Sequence, residues 1–272
     1  MDAVAARRGS TLYLLFWFAG SLALAFIVIP LVELLVQPGL AGVVRTARLP
    51  DVRSAIGLSL AAAAATAAIA TAIGVPLAWM LAGRAFPGKG LIEAVVDLPL
   101  TVPHTVAGIA LLLAFGREGV LGAPAAEWLG LRFWGTFAGI VVAMLFVSLP
   151  YLVNAARVGF EEGVDPHLVK VARTLGARPG RVFVRIVLPL AWRGIMAGVT
   201  LTFARAISEF ASVAMLAYYP MTAPIRIYEM FLRFGLSDAV GAAVLFLVIV
   251  LVLFVVLRQF AYGRRRTRGF GR

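Results

Sequence analysis

The sequence has no cysteine and only two histidines, His104 and His167, in 272 residues. The first absence excludes a disulfide framework and any thiolate-bound metal. The second leaves too few imidazoles, too far apart, for a structural zinc site. No stretch matches Gly-x-x-x-x-Gly-Lys-Ser/Thr, in which backbone amides and a lysine wrap a nucleotide's phosphates. The nearest string, "PGKG" at 87–90, lacks both the spacing and the hydroxyl residue. HExxH and GxSxG are missing too, so neither a zinc-protease helix nor a nucleophile elbow is encoded. Charged residues make up only 14% of the chain, and 13 are acidic. These absences exclude a catalytic constellation; on its own the chain reads as a non-enzyme that binds neither metal nor cofactor.

What is abundant is apolar surface. Hydrophobic residues make up 62% of the chain and mean hydropathy is +0.96, against about 45–50% apolar in soluble domains. Six apolar segments stand out, at 12–36, 55–82, 92–115, 134–156, 190–217 and 239–258. Most exceed the roughly 18 residues that mark a membrane span. The expected fold is an all-α polytopic membrane protein of about six transmembrane helices, organised as one domain over 1–272. The first segment follows Arg7 and Arg8 but is longer than a signal-peptide core of about 7–15 residues, so it reads as a retained span. The second is Ala-rich, which suits close helix packing inside the bundle. Gly135/Gly139 and Gly194/Gly198 have small-xxx-small spacing, a pattern that arises often by chance and carries little weight.

Orientation follows from the basic residues. With both termini cytoplasmic, 17 of the 25 Lys and Arg fall inside, seven in outer loops and one, Arg205, within a span. That asymmetry is the positive-inside pattern. It accounts for the net charge of +12 without invoking nucleic acid. The tail at 263–272, "GRRRTRGFGR", reads as a flexible basic end beside anionic lipid.

The longest non-spanning segment, 157–189, faces the cytoplasm. Within it, "VARTLGARPGRVFVRIVLPL" at 171–190 carries four arginines. Asp165-Pro166 is a helix start, with Asp as N-cap and Pro at the first helical position. Leu168, Val171, Ala172 and Leu175 then form one apolar stripe, and Gly176 closes the helix. Pro179 opens a second short helix, which Leu188-Pro189 is expected to break before the next span. Two readings stay open from the residues alone: an amphipathic element lying on the membrane, or one that docks into another protein.

This pattern resembles the "EAA" loop of ABC importer permeases: Glu-Ala-Ala, three residues, Gly, nine residues, Ile-x-Leu-Pro. Gly176, Ile186, Leu188 and Pro189 match in spacing, and Ala172 matches the second Ala. Lys170 replaces the Glu and Val171 the first Ala. In that family the loop, here 159–189, couples the spans to a separate ATP-binding subunit. The resemblance implies coupling roles for Lys170, Val171, Ala172, Arg173, Thr174, Leu175, Gly176, Ala177, Ile186, Leu188 and Pro189. "DLPLTVPHTVAGIALL" at 97–112 and "FARAISEFASVAMLAYYPMTAPIRIYEMF" at 203–231 are similar to the molybdate/tungstate branch, whose sulfate-transporting relatives share Arg-x-x-x-Glu-Phe, here Arg205, Glu209 and Phe210. The resemblance implies a homodimeric permease in the cell membrane. It further implies partners: a pair of ATP-binding subunits carrying ATP and Mg, and an extracytoplasmic oxyanion-binding protein.

Arg205 is expected near the middle of the fifth span, where a charge costs about 2.5–3.5 kcal/mol on insertion scales. Glu209, at i+4, can reach it. The carboxylate opposes an anion, so a permanent helix-orienting ion pair is preferred over direct anion binding. Both residues, with Ser208 and Met215, are expected beside the translocation pathway or its gate. Pro99 and Pro103 predict a kink in the third span, with Asp97 covering a freed carbonyl or sitting at the cytoplasmic interface. His104 reads as a hydrogen-bonded packing residue. The competing function is a secondary transporter or channel driven by an ion gradient, but few acidic residues lie within the spans to couple one.

Overall fold

The computed structural model describes residues 2–83 and 85–262, with side chains from 13 to 259 except 84. Arg84 and the basic tail at 263–272 lie outside the described residues. The described chain is helical throughout and contains no strand. In order, the helices are α1 (Asp2–Val36), α2 (Gly39–Ala47), α3 (Pro50–Leu81), α4 (Lys89–Thr101), α5 (His104–Phe115), α6 (Gly122–Leu129) and α7 (Phe137–Gly163). Then come α8 (Pro166–Thr174), α9 (Pro179–Val182), a π-helical turn (Phe183–Val187), α10 (Leu188–Ile207), α11 (Ala211–Leu216), α12 (Ala223–Phe234) and α13 (Leu236–Tyr262).

Five helical stretches are long and apolar enough to cross a membrane: Tyr13–Val36, Pro50–Leu81, Phe137–Gly163, Pro179–Ile207 and Leu236–Gln259. A sixth exists only if α4 and α5 are counted together, and they meet at 113°. The expected kink is therefore a full break. Val102 precedes Pro103 and takes an extended conformation (φ −75°, ψ 130°), because a proline ring disfavours helical backbone in the residue before it.

The fifth segment is also interrupted, and Arg205 stands in the last turn of α10 rather than mid-span. Ser208 turns its hydroxyl back to the Arg205 carbonyl (3.0 Å), a local bond that competes with the helical ladder. Glu209 accepts from the Ser212 backbone N–H (3.0 Å) and so restarts the chain as α11. At its other end the segment runs on where a break was expected. Pro179–Ile207 passes through Leu188-Pro189 because the Leu188 N–H bonds the Phe183 carbonyl, five residues back. That wider turn accommodates a proline whose ring collides with the carbonyl four residues before it in a regular helix.

The core is built on α7, which lies between α3 and α10. Gly194 of α10 and Gly159 of α7 meet so closely that a Cβ on Gly194 would stand 2.4 Å from the Gly159 Cα. Gly198 packs in the same way against Leu152. The Gly194/Gly198 face is a real crossing point, whereas Gly135 (φ +64°) lies in the turn before α7 and does not form a helix face with Gly139. The Ala-rich α3 buries Ala62, Ala63, Thr66, Ala67 and Ala70, as expected of a helix inside a bundle. By contrast, α1 buries none of its described side chains, and Trp17 and Phe26 are almost fully exposed. An all-round apolar helix of this kind suits lipid.

Candidate functional site: a helix–turn–helix element and a buried polar cluster

The element at 165–189 is closed at both ends by local chemistry. Asp165 accepts from the His167 N–H (2.8 Å) at the start of α8. At its end Gly176 has φ +82°, the Gly176 N–H bonds the Arg173 carbonyl (3.0 Å), and the Ala177 N–H bonds the Ala172 carbonyl (3.1 Å). This paired closure relies on a left-handed residue that glycine supplies without strain. The expected stripe divides in two. Ala172 turns inward with Val169 and Ala177 to pack on the lower core, while Leu168, Val171 and Leu175 are 49%, 56% and 82% exposed. Lys170, Arg173 and Thr174 are exposed, and Lys170 makes no ion pair among the described residues.

Beyond Gly176 the chain plunges into the bundle. Val182 and Val187 are buried, and Ile186 and Leu188 pack against the same cluster of α3 and α7 side chains. Phe183 completes an aromatic trio with Trp79 of α3 (5.8 Å between centroids) and Phe160 of α7 (6.4 Å). One end of the element is thus open and apolar, and the other is rigidly built into three membrane helices.

The second cluster lies where the two broken segments meet. Arg205 Nη2 donates to Glu209 Oε2 (2.7 Å) and lies 2.7 Å from His104 Nε2. Its Nη1 makes a long bond to the Ser208 hydroxyl (3.4 Å). Glu209 is 2% exposed, and its Oε1 also accepts from the Ser212 hydroxyl (2.8 Å). Arg205, Ser208 and Glu209 therefore come together, and Met215 stands apart on α11. There Met215 packs on Gly108 of α5, where an added Cβ would be 2.8 Å from the Met215 Cβ. The His104 contact spans about a hundred residues; the only trace of it in the sequence is a histidine immediately after Pro103. Ser212 was equally inconspicuous.

Two polar ties fix α4 to α7. Asn154 donates to Asp97 (2.7 Å) and Arg157 to Glu93 (2.5 Å), so Asp97 takes a side-chain partner rather than a freed carbonyl. At the start of α3, Asp51 is bridged by Arg226 of α12, which also pairs with Glu229, and Arg233 joins Glu229 (2.7 Å). Nearby, partial burial and the Glu229 carboxylate push the Tyr218 phenol above its ordinary value. No group of three or more metal-ligating side chains occurs among the described residues.

The geometry has counterparts among known proteins. The chain is 42% identical over 254 residues to the molybdate/tungstate transport system permease protein WtpB of Thermococcus kodakarensis, covering 93% of this chain and 96% of that one. It is 35% identical over 219 residues to the molybdenum transport system permease protein ModB of Haemophilus influenzae, covering 79% and 95%. Its fold is similar to a chain of a bacterial alginate ABC transporter solved with an alginate-bound periplasmic protein (TM-score 0.76, 17% identity, covering 96% and 97%). It is also similar to a chain of the MetNI methionine ABC transporter in an inward-facing conformation (TM-score 0.58, 16% identity, covering 77% and 92%). Residues 74–268 match the inner membrane component of binding-protein-dependent transport systems, a stretch that holds both the 165–189 element and the polar cluster; the chain is a multi-pass membrane protein belonging to that permease family.

Proposed function

We propose that this chain is the membrane subunit of an ATP-driven importer of molybdate and tungstate, working as a homodimer with two ATP-binding subunits. ATP and Mg belong to those subunits, and this chain catalyses no reaction of its own. Its termini lie in the cytoplasm, and its outer loops receive an extracytoplasmic oxyanion-binding protein. The observation that carries the reading is the two-ended geometry of the cytoplasmic element. Leu168, Val171 and Leu175 offer an apolar knob to a partner, while Val182, Phe183 and Val187 lock the same element into the spans. Exposed apolar side chains grouped on one helix mark an interaction site for protein or membrane, and the loop's match to the permease coupling pattern favours a protein. Motion of the partner is then passed to α10, whose far end carries Arg205.

The test is uptake of labelled molybdate, tungstate and sulfate by vesicles that hold this chain, the ATP-binding subunit and the binding protein. Molybdate and tungstate should accumulate only with ATP and all three components. Full-speed flux without the ATP-binding subunit would instead point to a gradient-driven carrier or channel and end this reading.

A further inference from the structure

We propose that the Arg205–His104 junction is a transient binding site for the transported tetrahedral oxyanion, and that Glu209 is a fixed counter-charge that keeps its grip weak. The proposal rests on the oxyanion-permease reading above and adds a place in the chain where the ion stops.

The hydrogen bonds assign the roles. A guanidinium only donates, so the His104 Nε2 at 2.7 Å from Arg205 Nη2 is an acceptor. The imidazole proton is then on Nδ1, which is buried and has no hydrogen-bond partner among the described residues. Buried donors are nearly always paired, so this one is matched to an acceptor that the protein itself does not supply. Arg205 uses Nη2 on two protein acceptors, His104 and Glu209. Its Nη1 has only the long contact to Ser208, and Ser208 is exposed. Two donors are left for a ligand, one guanidinium edge and one imidazole N–H, because the Ser208 hydrogen already goes to the Arg205 carbonyl. An oxyanion, which has acceptors alone, is the complementary chemistry.

Their placement agrees. His104 opens α5 directly after the break at Val102-Pro103, and Ser208 occupies the break between α10 and α11. Interrupted helices within a membrane protein are tolerated where the backbone lines a cavity, and they frame the ion and substrate sites of transporters. Gly108 lets α5 and α11 approach until a Cβ would be 3.0 Å from the Ser212 Cα, which holds the two breaks together.

Glu209 does not swing away to admit the anion. Its carboxylate is held by three donors, the Ser212 N–H and hydroxyl on Oε1 and Arg205 on Oε2. The ion therefore meets a site of no net charge. Weak capture is what transport needs, because a site on the route must release what it takes.

The experiment measures equilibrium binding of labelled molybdate to the permease–ATPase complex in nanodiscs, without the binding protein. Glu209→Gln keeps the side chain's size and its acceptor oxygen but removes the charge. It should tighten molybdate binding about tenfold or more, and the complete system should show lower kcat together with lower KM. Arg205→Lys keeps the charge but removes the free guanidinium edge, and it should weaken binding about three- to tenfold. Co-purification of the ATP-binding subunit certifies that each complex is intact. An intact Glu209→Gln complex that binds no more tightly than wild type overturns the proposal. If that variant does not assemble, unchanged affinity in Arg205→Lys overturns it. ATP-dependent uptake by the wild type alongside either result removes this site and leaves the transporter assignment standing.

Discussion

Truncating Leu175 tests the docking element most directly. The side chain is 82% exposed and sits just before the left-handed turn at Gly176, so its own chain gains little from it. If a partner covers it, Leu175→Ala removes three carbons at about 0.8 kcal/mol for each buried methylene. Scaled by the exposed fraction, the loss is about 2 kcal/mol, or about 30-fold in the Kd for the ATP-binding subunit. The thermal midpoint of the permease alone should not move, because no internal contact of size is lost. The assay titrates purified ATP-binding subunit onto the permease in nanodiscs, with melting of the isolated permease as the control. A Kd within about twofold of wild type would refute the reasoning and leave the helix lying against lipid.

Two further substitutions probe the frame behind that knob. Gly194→Ala would place a methyl 2.4 Å from the Gly159 Cα and 2.9 Å from the Ala155 carbonyl oxygen. Both are backbone atoms, so no rotamer relieves the clash, and the cost should be about 1–3 kcal/mol; an unchanged midpoint on heating would show that α7 and α10 do not cross there. Phe183→Ala removes the ring joining the coupling element to Trp79 and Phe160. ATP hydrolysis should continue while uptake per ATP falls about five- to tenfold, and parallel loss of both, or of neither, would count against a mechanical link through this ring.

Where local chemistry decides, the sequence was readable. Asp165, Pro166, Gly176 and Pro179 delimit the element between α7 and α10 because capping, proline geometry and left-handed glycine act within a few residues. The Arg205–Glu209 pair is local in the same sense, since i and i+4 share a helix face. The break after Ser208 was not readable. No Gly or Pro marks it, and its cause is a serine hydroxyl and a glutamate that bond neighbouring backbone. Leu188-Pro189 misled in the other direction, because a π-turn carries the helix through the proline.

By itself, the sequence determined the membrane setting, the helical class and the helix–turn–helix frame of 165–189, since all three depend on hydropathy and short-range geometry. Only the tertiary structure decided that Leu168, Val171 and Leu175 turn outward while Ala172 turns in, that Gly194 meets Gly159, and that His104 touches Arg205. Those are matters of which distant segments meet, and packing among several helices settles them rather than any spacing along one.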